Sequence, residues 1–153
     1  MTHPEHDARM VDISSKDVTL REAVASCVVK MTSATRDSVI ERSLEKGDAL
    51  EVARIAGIMA AKRTAELIPL CHPISLTAIE VGFDEREDGI GVTVSVRTSE
   101  RTGVEMEAMT AAAIAGLTIY DMVKGTERAV ELSRVRLLEK TGGRSGRWEA
   151  PEN

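Results

Sequence analysis

The sequence predicts an α+β fold in which helices cover one face of a mainly antiparallel sheet. Strand-like and helical patterns alternate along 153 residues, in the β-α-β-β-α-β order of a ferredoxin-like sandwich with an extra early helix. That length is typical of one domain with its own core. Aromatic residues make up only 2% of the chain, so the core must be packed from aliphatic and small side chains, which favour close helix packing.

The first half of the chain contains one predicted strand and two predicted helices. Residues 18–31 form a β-rich run that is typical of a strand. The next segment is predicted as a short helix that begins at the capping residue Ser33 and ends at Gly47. Asp48 is then predicted to cap a longer helix that runs until Pro69.

The second half contains a hairpin, a long helix and a last strand. Residues 75–86 and 90–100 alternate as strands do, and the turn at 87–89 joins them. A long helix is predicted from about residue 103 to 124, and the last strand covers 129–140. We expect one domain over residues 10–148. A flexible N-terminal tail (1–9) and a C-terminal tail (149–153) complete the chain.

The composition argues against several classes of protein. The chain has 20 basic and 25 acidic side chains and a net charge of −5, whereas binders of nucleic acid or anionic membranes are usually basic. Two cysteines without framework spacing indicate a reducing compartment and no structural zinc. We find no secretory signal and no apolar run long enough to span a bilayer. We therefore expect a cytoplasmic protein with no nucleic-acid or membrane partner.

The first long helix has apolar or small residues nearly all the way round. A helix of this kind is usually covered on both sides, and a subunit interface is the natural second cover in a chain this short. We therefore expect an oligomer. The small-residue stripe consists of Ala53, Gly57, Ala60 and Thr64, and the opposite side includes Ile55, Ile58 and Met59.

The second long helix has an apolar stripe that ends in an acid and an amine. Helical spacing puts these side chains on one face. In one interpretation, Asp121 and Lys124 form an ordinary helix-terminal salt bridge. In the other, they are an acid–base pair at the edge of a pocket, with pKa values moved by burial and by each other's charge. The stripe consists of Met106, Thr110, Ala113, Leu117, Asp121 and Lys124.

Three other charged positions also allow two interpretations. Lys46 lies at a helix-to-helix turn, where it can contact the last carbonyls of a helix or project into a neighbouring cleft. Glu105 and Glu107 open the second long helix, where an acid interacts favourably with the helix dipole whether or not it has a further role.

Cys71 and His72 lie side by side between Pro69 and Pro73. A zinc site needs three or four ligands, and this pair has no second half in the sequence. Neighbours on an extended backbone point to opposite sides, so a thiol and its base would be poorly placed. The prolines restrict the backbone. Two interpretations remain open: an imidazole that faces a pocket, or a buried structural histidine.

The glycine-rich segment 140–148 could bind an anion through its backbone N–H groups and through Lys140, Arg144 and Arg147. It lacks the order and spacing of a Walker loop. A frayed C-terminal tail is the alternative that the sequence slightly favours.

Taken together, the long segments 46–77, 101–125 and 137–148 closely resemble the molybdenum cofactor biosynthesis protein C family, the cyclic pyranopterin monophosphate synthases. The N-terminal segment 10–25 is also similar, with Arg21 at the expected position. The resemblance covers nearly all of the predicted domain, and its long runs are far more specific than any short motif.

This resemblance implies a lyase of molybdenum cofactor (molybdopterin) biosynthesis. Such enzymes convert 3′,8-cyclo-7,8-dihydroguanosine 5′-triphosphate, a GTP-derived substrate, into the pterin cyclic pyranopterin monophosphate and release diphosphate. The resemblance also implies a ferredoxin-like fold and a homohexamer, a trimer of dimers with each active site at a dimer interface. It implies that the enzyme requires no cofactor and has no metal site of its own, and that Mg²⁺ can bind only together with the diphosphate.

The resemblance further implies roles for individual residues in a single catalytic domain. Lys46 and Lys124 correspond to acid–base lysines, and Asp121 to the catalytic carboxylate. The residues implied in the substrate site are Leu70, Cys71, His72, Met106 and Glu107, with Arg21, Arg101, Glu105 and Lys140 as further pocket candidates.

Three positions depart from the family pattern, and none is a proposed catalytic group. Val123 and Gly125 flank Lys124 where a cysteine and an alanine are expected, and Cys27 replaces a usual glycine. These departures bear on local packing more than on activity.

The implied chemistry fits these residue types. Opening a purine ring needs a proton donor for a nitrogen leaving group, and we expect desolvated lysines whose lowered pKa lets them exchange protons near neutrality. Forming a cyclic phosphate needs positive charge around the phosphates. The main alternative is a non-catalytic ferredoxin-like nucleotide-binding regulatory module, which would not need an acid–base pair. An RNA-binding sandwich would need exposed aromatic side chains and a basic face.

Overall fold

The computed structural model describes residues 7–152, so positions 1–6 of the predicted N-terminal tail lie outside the described residues. Nine elements follow one another along the chain. They are β1 (Thr19–Lys30), α1 (Ser33–Ile40), α2 (Ala49–Lys62), α3 (Thr64–Leu67), β2 (Ala78–Arg86), β3 (Gly89–Glu100), α4 (Glu105–Val123), β4 (Glu131–Thr141) and β5 (Trp148–Glu149).

The sheet has the strand order β2-β3-β1-β4-β5, and every neighbouring pair is antiparallel. Helices α2 and α4 pack on each other, and both contact strands of this sheet. This arrangement confirms the predicted α+β, ferredoxin-like sandwich. The short strand β5 was not predicted; it pairs Trp148 with Lys140 and Glu149 with Glu139, so pairing continues one residue beyond the predicted domain boundary at 148.

The first helix is shorter than predicted, and its cap is a different residue. Thr32, not Ser33, is the N-cap, and its side chain accepts a hydrogen bond from the N–H of Thr35. The helix ends at Ile40 because Arg42 adopts a left-handed conformation, with φ of 58°. The Arg42 N–H then donates to Val39 O, and the Ser43 N–H donates to Ser38 O. This pair of hydrogen bonds closes many helices.

The predicted cap of α2 is confirmed, but the helix ends before Pro69. The Asp48 carboxylate accepts hydrogen bonds from the N–H groups of Leu50 and Glu51, at 3.1 and 3.2 Å. The helix breaks at Arg63. There the Thr64 hydroxyl donates to carbonyl oxygens of the preceding turn, and the single turn α3 follows.

The β2–β3 hairpin closes with two loop residues, Glu87 and Asp88, so that Arg86 pairs with Gly89. Gly89 has a φ of 148°, and a Cβ there would collide with the backbone carbonyl of Val29. Only glycine fits this close approach between the hairpin and β1.

Helix α4 is the central core helix. It contacts α2, β1, β3 and β4, and Ala108, Ala111, Ala112 and Ala115 are fully buried. By length and composition alone it could cross a membrane, so the expectation that no apolar run is long enough was wrong for this segment. Half of its most apolar window is buried inside the fold, as is usual for the core helix of a globular domain.

The small-residue stripe is buried, with Ala53, Gly57 and Ala60 on α2 and Thr64 on the following turn α3. A Cβ on Gly57 would lie 3.3 Å from Ala111 O and 3.3 Å from the Ala115 methyl group, so glycine lets the two helices approach closely. On the other side of α2, Ile55 is 58% exposed and Met59 is 47% exposed. One protomer therefore leaves an apolar helix face uncovered.

Cys27, one of the departures from the family pattern, is accommodated by a glycine on α4. The thiol is fully buried. A Cβ on Gly116 would lie 2.9 Å from Cys27 Sγ and 3.4 Å from carbon atoms of Leu132 and Val29. The sulfur therefore occupies the space that a larger residue at position 116 would need.

We expect Gly116→Ala to destabilise the protein by about 1 kcal/mol. Overpacking costs about 2 kcal/mol, and the better helix propensity of alanine offsets about half of that. Urea denaturation measures the change. The double variant Cys27→Ala/Gly116→Ala should be more stable than Gly116→Ala alone; purely additive effects would contradict this packing.

Candidate active site

Three of the predicted site residues meet at the C-terminal end of α4. Lys124 Nζ lies 2.8 Å from Asp121 Oδ1, and Lys46 Nζ lies 3.3 Å from Oδ2. Lys46 also donates a hydrogen bond to the Asp121 backbone carbonyl, at 2.9 Å. One carboxylate is therefore held between two ammonium groups. All three side chains are about half exposed.

Local structure brings these residues together. Asp121 and Lys124 are three residues apart in the last turn of α4, where Lys124 N–H closes the helix on Tyr120 O. Lys46 lies in the turn between α1 and α2, one residue before Gly47, whose N–H donates to Leu44 O at 3.0 Å. Lys46 thus donates to a carbonyl in the last turn of a helix. That helix is α4, and not α1, the helix that precedes Lys46 in the chain.

Electrostatics in this cluster favours the charged forms. The hydrogen bonds from Lys124 and Lys46 hold the pKa of Asp121 below its ordinary value. The hydrogen bond to Asp121, together with its charge, raises the pKa of Lys124. The expectation of a desolvated lysine with a lowered pKa is therefore wrong for Lys124 in a single chain, because solvent reaches the group and an acid contacts it.

A second group of predicted residues forms a cavity of 340 Å³ at the other end of α4. Residues 68–71 form a tight turn, in which the Cys71 N–H donates to Ile68 O at 3.1 Å and Pro69 is the second residue. Proline suits the second position of such a turn. The cavity is lined by Val11, Ile13, Lys16, Ile68, Leu70, Cys71, His72, Thr102, Gly103, Glu105, Met106 and Glu107.

His72 and Cys71 both line this cavity, although the sequence pattern indicated opposite directions. The segment is not part of a strand, so strand alternation does not apply. His72 is half-buried and faces the cavity, which favours the pocket interpretation over the buried structural one. The Cys71 thiol donates to Glu107 Oε1, at 3.6 Å.

Glu107 is a buried acid in this cavity wall. Its side chain is 3% exposed, and its Oε2 atom has no hydrogen-bond partner in the described part of the chain. Burial raises its pKa. A buried oxygen without a partner is costly, so this atom is suited to a ligand that brings a hydrogen-bond donor.

We expect Cys71 to react slowly with iodoacetamide. Burial, together with the charge of and hydrogen bond to Glu107, raises the pKa of Cys71 to about 11. At pH 8 its alkylation should be roughly a hundredfold slower than that of an ordinary thiol, because only the thiolate reacts. Mass spectrometry of timed samples measures the rate. Glu107→Gln should accelerate the reaction; alkylation at the rate of a free thiol would contradict the assigned contacts.

A larger cavity of 510 Å³ adjoins the first and shares Lys16, Thr102, Gly103 and Glu105 with it. Lys140 Nζ lies 2.9 Å from Glu105 Oε1. Burial opposes ionisation of Glu105, but the hydrogen bond and charge of Lys140 and the charge of Arg21 outweigh it, so its pKa is lowered. The basic residues in the lining are Lys16, Arg21, Lys140 and Arg144.

Sequence reasoning did not select Lys16, and it slightly favoured a frayed tail for the segment that contains Arg144. In the structure, Gly143, Arg144 and Ser145 line the larger cavity. Lys16 lies within the N-terminal segment that resembles the family, which is the signal that could have identified it.

Arg101 has a different position from the other pocket candidates. Its guanidinium donates to the backbone carbonyls of Ser14 and Lys16, and it does not belong to the lining of either cavity. Arg101 thus holds the segment that carries Lys16 against the start of α4.

The two groups of predicted residues do not meet within one chain. Glu105 and Asp121 are sixteen residues apart on α4, which is about 24 Å along a straight helix. That distance exceeds the reach of one nucleotide-sized molecule. Among residues 7–152, no group of three or more His, Cys, Asp or Glu side chains is arranged to hold a metal ion.

Comparison with known proteins identifies relatives over almost the whole chain. Residues 10–143 match the model of the MoaC family. A protein of Jannaschia sp. named cyclic pyranopterin monophosphate synthase is 52% identical over 99% of this chain and 96% of its own. Proteins with the same name from Rhodospirillum rubrum and Cereibacter sphaeroides are each 54% identical, over 94% and 98% of this chain and 88% and 97% of their own.

Proposed function

The chain belongs to the MoaC family, and from this premise we propose that it is a cyclic pyranopterin monophosphate synthase of molybdenum cofactor biosynthesis. Its substrate is 3′,8-cyclo-7,8-dihydroguanosine 5′-triphosphate, and its products are cyclic pyranopterin monophosphate and diphosphate. Because a ribose hydroxyl displaces diphosphate from phosphorus, we assign the enzyme to the phosphorus–oxygen lyases. The observation that carries the proposal is the Asp121 carboxylate held between Lys46 and Lys124.

The catalytic cluster suits proton donation. The Asp121 contact keeps Lys124 protonated, and a protonated lysine can donate to the purine nitrogen that leaves when the five-membered ring opens. Asp121 can stabilise the positive charge of both lysines, because each of its carboxylate oxygens contacts one ammonium group. In a free protomer, Lys124 is therefore held in the protonated form that an acid needs, and its raised pKa makes it a weaker acid than an ordinary lysine.

The two cavities suit the two halves of the substrate. We assign the triphosphate to the larger cavity, where four basic side chains meet two acids, Asp17 and Glu105. We assign the heterocycle to the smaller one, whose wall is mainly apolar and contains His72. The free Oε2 of Glu107 can accept from an N–H of the heterocycle. Positive charge at the phosphates would stabilise the departing diphosphate.

A second subunit would complete this site. An exposed stripe on α4 connects the two groups, with Met106 39% and Leu117 52% exposed. The nearby helix α2 adds Val52, Ile55 and Met59, which are also exposed. Antiparallel pairing of two α4 helices about a two-fold axis would cover this face and bring Asp121 beside the cavity of the partner. We therefore propose a dimer with composite sites, and a homohexamer of three such dimers.

Cofactor and compartment follow from the same proposal. The chain needs no cofactor of its own, and Mg²⁺ would enter only with the diphosphate. Both cysteines are free thiols, which fits a reducing compartment such as the cytoplasm.

The decisive experiment incubates the purified protein with the cyclised dihydro-GTP. We expect diphosphate and a pterin product in equal amounts, measured by a coupled phosphate assay and by mass spectrometry. Binding without turnover would instead support a non-catalytic nucleotide-binding module. Absence of both binding and turnover would refute the assigned substrate.

A further inference from the structure

Glu127 connects the segment that follows Lys124 to the start of α1. One of its oxygens accepts from the Thr32 hydroxyl at 2.9 Å and from the Thr32 N–H at 3.2 Å, and the other lies 3.3 Å from the same N–H. These partners are 95 residues apart in the chain. We call this set of hydrogen bonds the Glu127 clamp.

The clamp completes an unusual helix cap. Thr32 is the N-cap of α1 and accepts from the N–H of Thr35. In a capping box, a Glu or Gln at the third helical position returns a bond to the N-cap N–H. Position three is Thr35 here, so the carboxylate comes from Glu127 instead. Hydrogen bonds from Thr35 and Thr32 lower the pKa of Glu127, which keeps the clamp charged at neutral pH.

The segment between Lys124 and Glu127 has few other contacts. Residues 124–126 are exposed, and no atom packs within 4 Å of where a Cβ of Gly125 would lie. Backbone hydrogen bonds to Val123 O hold Thr126 and Glu127. The Tyr120 hydroxyl also donates to Arg128 O, at 3.2 Å. Without the clamp, residues 126–128 would be held to α4 by that bond and by the Val123 carbonyl.

The clamp also bears on Lys46. Helix α1 begins at the clamp and is followed by the turn that carries Lys46, and Lys46 donates to the Asp121 backbone carbonyl. The helix that leads to one lysine and the segment after the other are therefore fixed to each other at Thr32. Small displacements of reacting groups are expensive, since about 1 Å can cost a hundredfold in rate.

We propose that Glu127 is a positioning residue for the reaction: it holds Lys124, and through α1 also Lys46, in register with Asp121. Glu127 does not touch the substrate; it acts through the two lysines. This inference rests on the proposed function.

The test compares Glu127→Ala with the matched control Glu131→Ala, which removes the same charge four residues further along, at the start of β4. We expect Glu127→Ala to lower kcat about tenfold or more and to change KM less than twofold, because neither Glu127 nor the two lysines line the cavities assigned to the substrate. Glu127→Gln, which keeps the length and an acceptor oxygen, should recover most of kcat. Glu131→Ala should leave kcat unchanged.

A second measurement separates positioning from folding and from the proposed function. Hydrogen–deuterium exchange of amides 124–128 should be faster in Glu127→Ala than in Glu131→Ala. If Glu127→Ala does not fold, Glu127→Asp carries the test, because it keeps the charge but not the reach. Wild-type kcat in Glu127→Ala, or in Glu127→Asp where that variant carries the test, would overturn the proposal with or without a lower melting temperature, as would unchanged exchange. A wild-type protein without turnover would refute the proposed function instead, and exchange alone would then decide on the clamp.

Discussion

Replacing Lys124 with alanine is expected to lower the rate of product formation by about a thousandfold, within the usual range for loss of a general acid or base. The reason is that Lys124 is the protonated partner of Asp121 at 2.8 Å. Its side chain is half exposed, so its removal should leave the fold intact. Single-turnover formation of the pterin, measured with substrate in excess of KM, checks the chemical step. Lys46→Ala is expected to behave in the same way.

Two further variants sharpen this experiment. Lys30→Ala, which removes one positive charge on β1, is the control for net charge and should retain the rate of the wild type. Lys124→Arg keeps the charge but cannot readily give up a proton. If Lys124 transfers a proton, Lys124→Arg stays inactive; recovery of activity would mean that charge alone is needed. Wild-type turnover in Lys124→Ala would exclude any role for this lysine in the reaction.

Two inactive variants are expected to restore activity when they share an oligomer. Lys124→Ala damages the cluster at one end of α4, and His72→Ala damages the cavity at the other. If each site takes one end from each subunit, a mixed dimer contains one intact site and one doubly damaged site. If the subunits pair at random, about half of the dimers are mixed, and each mixed dimer has one intact site out of two. The expected activity is therefore about one quarter of that of the wild type. Co-expression with two affinity tags, followed by sequential purification and the turnover assay, measures this.

The control for complementation is a mixture of Lys124→Ala with Lys46→Ala. Both side chains contact the same Asp121 within one chain, so no intact site can form and no recovery is expected. If the His72 mixture also shows no recovery, the two ends do not combine across subunits. A monomer by light scattering would refute the oligomer directly, whereas a mass near six times that of the chain would support the hexamer.

Much of the fold was predictable because it depends on local interactions. The Asp48 cap uses N–H groups two and three residues away, and the hairpin at Glu87–Asp88 needs a glycine directly after it. The end of α1 was not predictable in the same way. Arg42 ends the helix in a left-handed conformation, which glycine adopts far more readily than arginine does. The sequence therefore predicts a helix end at Gly47 that the structure does not have.

The candidate site was predictable in its residues but not in its arrangement. Helical spacing placed Asp121 and Lys124 together, and Lys46 was assigned to the same site from the resemblance. Spacing could not reveal that the cavity with His72 and Glu107 lies at the opposite end of the same helix. Nor could it give the direction of the Lys124 pKa, which depends on solvent exposure and on a neighbouring carboxylate.

The sequence by itself thus determined the order of the elements, the caps and turns made by near neighbours, the family and the residue types that could do the chemistry. The tertiary structure alone decided which of those residues meet, which cations line one cavity, and that Glu127 completes the helix cap at Thr32, 95 residues earlier in the chain. The physical reason is the range of the interactions. Propensity, capping and periodicity act over a few residues, whereas cavities, salt bridges and pKa shifts arise from segments that only packing brings together.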